Sequence, residues 1–243
     1  MQTNILSLSE IQNYVKDKNV LLVGNSVAGL QKEQGELIDS YDIVVRFGKG
    51  ITDDKELYIG NKTDIWCTGG FRTAMRKHFG EDIPVLFNIG SKIRGGIQPP
   101  DFKHHIMYDE DQIDEINKKY GQKGVKRLST GAVAAYFFVD KVKAYKSLTF
   151  INFDGFRILT EFYSSPTRRN ELAGSWHLPI PLQNSYDSSK RGSDHPAHDV
   201  EVEKALIDDM CKRDNVHFIG EMPETPRIIE IENASWDQHR VKI

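Results

Sequence analysis

Short, almost wholly apolar segments separated by helical patterns limit the fold of this chain more than any other feature. NVLLVG (19–24), DIVVRF (42–47) and IPVLFNIG (83–90) have the composition of strands that are buried on both faces. Before the first of them, SLSEIQNYVKD (7–17) places apolar residues at helical spacing, with Ser7 or Ser9 as a possible cap. Strands that alternate with helices predict an α/β fold, namely a single Rossmann-like domain over the whole chain, with a mostly parallel sheet and helices on both faces.

Further segments extend the same alternation. We expect strands in KTDIWCTG (62–69), SLTFINFDGF (147–156) and VHFIG (216–220), and helices in FRTAMRKHFG (71–80), DEDQIDEINKKYG (109–121), STGAVAAYFFVDKVKAY (129–145) and HDVEVEKALIDDMCKRD (198–214). The helix at 129–145 is apolar nearly all round, which predicts that it is buried. The segment 157–196 is rich in Ser, Pro, Gly and Arg, and its length is typical of a lid or acceptor loop. In a fold of this class the site lies at the carboxyl ends of the strands.

Composition excludes several classes of protein. The net charge of −3 and the pI near 6.2 provide no overall attraction to nucleic acid. Cys67 and Cys211 form neither a disulfide framework nor a zinc motif, and we expect both to be reduced. The first residues lack the features of a signal peptide, and no segment approaches the roughly 18 apolar residues of a membrane span. We therefore expect a soluble, cytoplasmic protein.

The turn after the first apolar segment is open to three interpretations. Gly24 and Gly29 have the spacing of a Walker A loop, but Leu30 and Gln31 replace the lysine and hydroxyl that hold phosphate and magnesium. GNSVAG approximates a dinucleotide-binding fingerprint, with Ser26 in place of the second glycine. An ordinary strand-to-helix turn is the third alternative.

Four motifs in a fixed order favour another interpretation of this turn. VGNSVAGL (23–30) with GELIDSYDIVVRF (35–47) resembles the long sialyl motif, and GNKTD (60–64) resembles a G-x-K-T segment. LSTGAVAAYFFVDKVKAYKSLTFINFDGF (128–156) is similar to the short motif, and HDVEVE (198–203) has the spacing H-x-x-x-x-E. The chain therefore resembles the sialyltransferases, glycosyltransferase family 29, over most of its length.

The resemblance implies a GT-A-like variant of the sialyltransferase fold and an inverting, metal-independent glycosyltransferase. It implies no cofactor: the partners are a nucleotide-sugar donor, cytidine monophosphate linked to sialic acid or a related sugar, and a glycan acceptor. The residues that would bind the donor are Gly24, Asn25, Ser26, Arg46, Ser129, Thr130, Gly131, Asp154, Gly155, Phe156 and Tyr186.

The same resemblance assigns the catalytic residues. His198 matches the family histidine and would act as the general base that removes the acceptor proton, since the pKa of histidine lies near working pH. His195 is the rival base or a phosphate contact. Glu203, five residues after His198, would orient or cap the helix.

Some of these residues have a plain structural alternative. Arg46 is equally well explained as a buried ion-pair partner of Asp39 or Asp42, and Ser129 as a simple helix cap. Asp109–Asp111 has the D-x-D form of metal-dependent glycosyltransferases, but its place at an acidic helix start favours surface charge that complements the helix dipole.

Other functions also remain open at this point. The basic residues of the 157–196 loop leave modified nucleobases as an alternative acceptor; they are Arg168, Arg169, Lys190 and Arg191. Gly48 and Asn184 stand where the family has an asparagine and a histidine, which is compatible with a non-catalytic nucleotide-sugar-binding protein. A Rossmann-type dehydrogenase is a third alternative, although no catalytic residues for it are evident.

Overall fold

In the part of the chain that the structure describes, eight parallel strands form the central sheet. The computed structural model describes residues 4–47, 55–68, 85–88, 104–108, 118–119, 128–154, 158–160, 200–224 and 227–229. The strands are β1 (Asn4–Ile5), β2 (Asn19–Val23), β3 (Ile43–Phe47), β4 (Ile65–Thr68), β5 (Val85–Asn88), β6 (His104–Tyr108), β7 (Ser147–Ile151), β8 (Ile158–Thr160), β9 (Val216–Ile219) and β10 (Arg227–Ile229). Their order in the main sheet is β1-β6-β5-β4-β3-β2-β7-β9, while β8 and β10 form a separate parallel pair.

Helices cover both faces of this sheet. They are α1 (Leu8–Val15), α2 (Gly35–Asp39), α3 (Glu56–Ile59), α4 (Thr130–Tyr136) and α5 (Val200–Met210), with a 3₁₀ turn at Val27–Leu30 and a π turn at Phe137–Val142. Among these helices, none is long and apolar enough to cross a membrane.

Alternation along β2 shows how the two layers of helices are separated. Val20 and Leu22 belong to the larger core cluster, which contains buried residues of α1, α4, the π turn and α5. Leu21 and Val23 belong to a smaller cluster with residues of the 3₁₀ turn, α2 and α3. Each buried leucine or valine contributes roughly 1.5–3 kcal/mol by leaving water. The prediction of a mostly parallel α/β sheet with helices on both faces is confirmed.

Local signals fix the start of α1. The Ser7 side chain accepts a hydrogen bond from the Glu10 backbone N–H (3.3 Å), and the Glu10 carboxylate accepts one from the Ser7 N–H (2.7 Å). This is a capping box, which satisfies two backbone donors that the helix leaves free. Of the two serines expected as caps, Ser7 is the one used.

The buried helix predicted at 129–145 changes its winding half way. After Tyr136 it continues as a π turn, and the Lys143 N–H bonds to the Phe138 carbonyl five residues back (3.1 Å). The Lys143 N–H, which would bond to the Val139 carbonyl in an α-helix, is used in this way, and the Arg213 guanidinium donates to the Val139 carbonyl (2.6 Å). Lys143 ends the turn with a φ of 55°, in the left-handed region.

Several elements were not expected from sequence. These are β1, β6, β8, β10 and the single-turn helices α2 and α3. The segment 157–196 was expected to be a loop; its residues 158–160 form β8, and the remainder lies outside the described residues. The helix expected at 71–80 also lies outside them, and of the helix expected at 109–121 the structure describes only residues 118–119, which are helical.

Both cysteines are free. Burial raises the pKa of the Cys67 thiol well above its usual value and that of the half-buried Cys211 to about 11. Both thiols are therefore protonated at neutral pH.

Candidate functional site

The order in which successive strands are added to the sheet reverses at β2. From β2 the strands step outward through β3, β4, β5 and β6, whereas β7 and β9 return to the opposite side of β2. Ligands of open α/β sheets bind in the crevice at the carboxyl ends of the strands where this reversal occurs. The turn after β2 therefore occupies the expected position, next to the ends of β3 and β7.

Gly24 allows this turn to pack directly on the chain after β7. Its N–H donates to the Ile151 carbonyl at 2.8 Å, which extends the ladder between the strands. A Cβ at Gly24 would lie 2.2 Å from the Asn152 carbonyl oxygen, closer than two such atoms can approach. The glycine is therefore required for close packing, and its N–H is already used.

Ser26 holds the turn in shape. Its N–H donates to the Asn152 carbonyl (3.1 Å), and its hydroxyl accepts from the Ala28 N–H (3.1 Å), which caps the 3₁₀ turn. The residue is buried. These contacts are structural, so the hydroxyl acceptor that we expected to face the donor already has a partner inside the protein.

Asn25, between them, has a fixed orientation and remains half-buried. Its Nδ2 donates to the Phe47 carbonyl at the end of β3, at 3.1 Å. This bond uses one of the two amide N–H groups and holds the plane of the amide. The second N–H and Oδ1 are left for a ligand with complementary groups, such as a phosphate oxygen or a nucleobase edge.

The start of α4 is closed by a carboxylate from α5. The buried Glu203 accepts hydrogen bonds from the Ser129 N–H (2.5 Å) and from the Ser129 hydroxyl (2.8 Å). The same hydroxyl accepts from the Ala132 N–H at 3.1 Å, as a helix cap does. Glu203 thus contacts the cap of α4, whereas the sequence suggested a role in capping or orienting its own helix, α5. Both Ser129 donors are used, and among the described residues at this end the N–H groups of Thr130 and Gly131 have no partner within the helix.

An aromatic ring joins α4 to the ends of the strands. Phe153 packs edge-on against Phe47 and Phe150, with ring centres 5.6 and 5.4 Å apart. A Cβ at Gly131 would lie 3.1 Å from the Phe153 ring, so the ring contacts the first turn of the helix. Gly24, Asn25, Phe153 and Gly131 therefore line one continuous region at this edge of the sheet.

Arg46 contacts the protein rather than open space. The residue is buried; its Nε donates to the Lys62 carbonyl (2.9 Å) and its Nη2 to the Ile59 carbonyl (2.7 Å). Burial lowers the pKa of Arg46 to about 10, and the charge of Asp39 opposes that shift. Asp39 itself accepts from the backbone N–H groups of Asn61 (2.9 Å) and Lys62 (2.9 Å).

Asp42 also uses its carboxylate elsewhere. It accepts from the backbone and side chain of Asn19, at 2.8 and 3.0 Å, and the bond from the backbone N–H is the main reason why its pKa is lowered. Neither expected ion pair of Arg46 forms. Instead, the guanidinium ties the end of α3 and the G-x-K-T segment to β3.

The remaining site residues fall into two groups. Asp154 is buried beside Phe153, at the end of β7. Of the residues expected to bind the donor or to act in catalysis, five lie outside the described residues: Gly155, Phe156, Tyr186, His195 and His198. Gly48 lies outside them too. The catalytic assignments therefore stay predictions. Within the described part of the chain, no cluster of three or more His, Cys, Asp or Glu residues is placed to hold a metal ion.

Four residues at this edge were not identified from sequence: Gln34, Phe47, Asn152 and Phe153. Phe47, Asn152 and Phe153 end or directly follow strands whose neighbours had been singled out, so their position after an apolar run was an available signal. Gln34 contacts Asn152 across 118 positions of sequence, and no local pattern indicates such a pair.

Comparisons with known proteins bear on the same region. The family model described as glycosyltransferase family 29 (sialyltransferase) matches residues 11–84. A crystal structure of a mammalian sialyltransferase in complex with Gal-beta-1-3GalNAc-ortho-nitrophenol is similar, with a TM-score of 0.54 and 18% identity over 92% of this chain and 75% of that one. A second, a crystal structure of a mammalian sialyltransferase, has a TM-score of 0.55 and 17% identity over 92% and 74%.

No curated protein sequence matches the chain at a significant level. The resemblance inferred from the four motifs is nevertheless confirmed, since the matched range contains the turn after β2 and the solved structures share the fold. The chain is thus similar to glycosyltransferase family 29 in sequence over residues 11–84 and to mammalian sialyltransferases in fold.

Proposed function

We propose that the protein transfers sialic acid or a related sugar from a CMP-linked donor to the hydroxyl of a glycan, with inversion and without a metal ion. The observation that carries the proposal is the position of the motif turn at the reversal point of the sheet. There the oriented Asn25 amide, the Phe153 ring and the first turn of α4 adjoin one another. This combination provides polar groups and an aromatic surface of the kind that a nucleotide needs.

The arrangement also restricts which atoms contact the donor. Because Gly24, Ser26 and Ser129 use their N–H groups inside the protein, the N–H groups left to bind the donor phosphate among these motif residues are those of Asn25, Thr130 and Gly131. The Glu203 carboxylate already occupies the cap of α4, which disfavours a second anion in direct contact with Ser129. We therefore place the donor phosphate nearer to Asn25 than to Ser129.

The chemical step requires a base outside the described residues. In the proposed mechanism His198 takes the proton of the acceptor hydroxyl while that oxygen attacks the anomeric carbon of the sugar, and the bond to the CMP phosphate breaks. His198 is two residues before α5, and α5 carries Glu203. The bond from Glu203 to Ser129 would then hold the helix of the base against the donor side of the site.

The acceptor in this proposal is a glycan. Support for it comes from the family match alone, and nothing in the comparisons supports a nucleic-acid acceptor. The basic residues on which that alternative depends lie outside the described residues.

Release of CMP from CMP-sialic acid, compared with release of UDP and GDP from their sugars, tests the proposal. We expect turnover with the CMP-linked donor, unchanged by a metal chelator. His198→Ala is expected to lose about 10²–10⁴-fold in kcat, as removal of a general base does, whereas His195→Ala retains most of it. Wild-type turnover by His198→Ala would reject the assignment of the base, and turnover of UDP- or GDP-sugars alone would reject the donor.

A further inference from the structure

Asn152, directly after β7, has an unusual backbone conformation beneath the motif turn. Its φ is 59°, in the left-handed region that few residues other than glycine adopt, asparagine being one of the most frequent of them. In this conformation its carbonyl accepts from the Ser26 N–H at 3.1 Å and packs against the space where Gly24 lacks a side chain. The backbone of one residue thus supports both ends of the turn that presents Asn25.

The side chain of Asn152 supports the following 3₁₀ turn. Its amide packs on Gly29, where a Cβ would lie 2.5 Å from Nδ2. Its Oδ1 accepts from Gln34 Nε2 at 2.9 Å, and that Nε2 also approaches the Gly29 carbonyl at 3.4 Å. Gln34 therefore clamps the Asn152 amide against Gly29 from the other side.

The contact of Asn152 with Gln34 and Gly29, called the clamp below, contains one polar atom that is not satisfied. Asn152 Nδ2 is buried and has no hydrogen-bond partner among the residues that the structure describes. An unpaired buried amide N–H is unfavourable and seldom persists in folded proteins. A left-handed backbone and an unpaired donor in the same residue are features that tend to occur where a binding site needs a fixed geometry.

We propose that Asn152 and Gln34 are positioning residues that fix the turn 24–30 and thereby set the affinity for the donor nucleotide. Neither needs to contact the donor. They act by holding Gly24, Ser26 and Gly29, so that the Asn25 amide keeps its orientation on the Phe47 carbonyl. The effect on affinity rests on the proposed function, because it requires that this turn contacts the nucleotide.

Two variants distinguish the effect of the clamp on nucleotide affinity from its effect on the stability of the fold. Asn152→Gly keeps the left-handed backbone available and removes the amide, while Gln34→Ala removes the other half of the contact. Lys143→Gly is the matched control: Lys143 also has a positive φ (55°), but it is exposed and precedes β7, at the opposite edge of the sheet. For each variant we would measure CMP affinity by calorimetry, amide hydrogen exchange of residues 24–30, and unfolding in urea.

We expect Asn152→Gly and Gln34→Ala each to accelerate exchange in residues 24–30 and to weaken CMP binding about three- to tenfold. The double variant should be no weaker than the weaker single one, since both remove the same contact. Lys143→Gly should change neither quantity. CMP affinity within about twofold of wild type in Asn152→Gly, or unchanged exchange in both variants, would overturn the inference.

Failure of the proposed function has a different signature. If the wild-type protein binds no CMP while both variants still accelerate exchange of residues 24–30, the donor assignment is wrong and the positioning role of Asn152 and Gln34 stands. If wild type binds CMP and the variants bind it equally well, the positioning role is wrong and the donor assignment stands.

Discussion

The three residues that follow β2 differ in role: two of them pack inside the protein, and one is available for binding. Gly24 and Ser26 use their backbone groups inside the protein, and the residue between them is oriented by the Phe47 carbonyl. A motif of three consecutive residues therefore contains two that build the turn and one, Asn25, that is free to act on a ligand. Substitution at each position has a distinct expected outcome.

Gly24→Ala is expected to destabilise the protein by about 1–3 kcal/mol and to abolish nucleotide binding, because its Cβ would collide with the Asn152 carbonyl. Gly220→Ala is the control: Gly220 has a positive φ (109°), and no atom of the described residues lies within 4 Å of an added Cβ. We expect the control to lose stability through backbone strain while it keeps its nucleotide affinity. Urea unfolding and calorimetry measure the two effects, and full CMP affinity in Gly24→Ala would contradict this account of the turn.

Arg46→Lys separates a structural arginine from a donor-binding one. Lysine lacks the geometry to reach the Lys62 and Ile59 carbonyls together, so we expect a loss of about 1–3 kcal/mol in the free energy of unfolding. CMP affinity should stay within about twofold of wild type. A large fall in affinity at unchanged stability would instead show that the guanidinium binds the donor.

At the scale of elements, α4 and α5 are joined through the Ser129 cap. Glu203→Gln replaces one acceptor oxygen of the buried carboxylate by an amide N–H, which faces a Ser129 donor. We expect a loss of about 1–3 kcal/mol, measured by urea unfolding. The matched change in the same helix, Glu201→Gln, affects an exposed side chain and should stay within about 0.5 kcal/mol. Equal effects of the two changes would contradict the role of the carboxylate at the cap.

Tyr145, in the segment after the π turn, is expected to make the free energy of unfolding depend on pH. Burial raises the pKa of Tyr145 to about 12, from 10.0. Between pH 10 and 12 the unfolded chain ionises this tyrosine while the folded protein keeps it protonated, so the free energy of unfolding falls as pH rises. Tyr145→Phe removes this contribution, and the variant should gain stability relative to wild type across that range, as urea unfolding at pH 9 and pH 11.5 would measure. If the difference in stability between Tyr145→Phe and wild type were the same at pH 9 and pH 11.5, the raised pKa of Tyr145 would be contradicted.

At the scale of the whole molecule, the sequence predicts the elements that bury a full apolar run and fails for those that do not. β2, β3 and β7 are recognisable because all or nearly all of their side chains are buried. β6 contains two adjacent histidines, and α2 and α3 are single turns, so no periodicity identifies them. The turn after β2 lies at the carboxyl edge of the sheet, as predicted. This position was predictable because open α/β sheets bind their ligands at the carboxyl ends of their strands.

The roles of individual site residues were harder to predict than their location. A serine before an apolar helix has the same local pattern whether its donors face a ligand or a carboxylate from another helix, and for Ser129 the carboxylate belongs to Glu203. The contact between Gln34 and Asn152 likewise depends on tertiary packing. Contacts between residues that are distant in sequence depend on the fold, and local sequence motifs do not indicate them.

Selective binding of CMP would distinguish the proposed sialyltransferase-like function from a different donor and from a dehydrogenase. The full chain would be titrated with CMP, CDP, UDP, GDP, ADP and NAD and followed by thermal unfolding, because a ligand that binds the folded state alone raises its stability by mass action. We expect CMP to stabilise the wild-type protein and not the Asn25→Ala variant, while the unfolding temperature of that variant without ligand stays close to wild type. Stabilisation by UDP, GDP or NAD and none by CMP would contradict the proposed function.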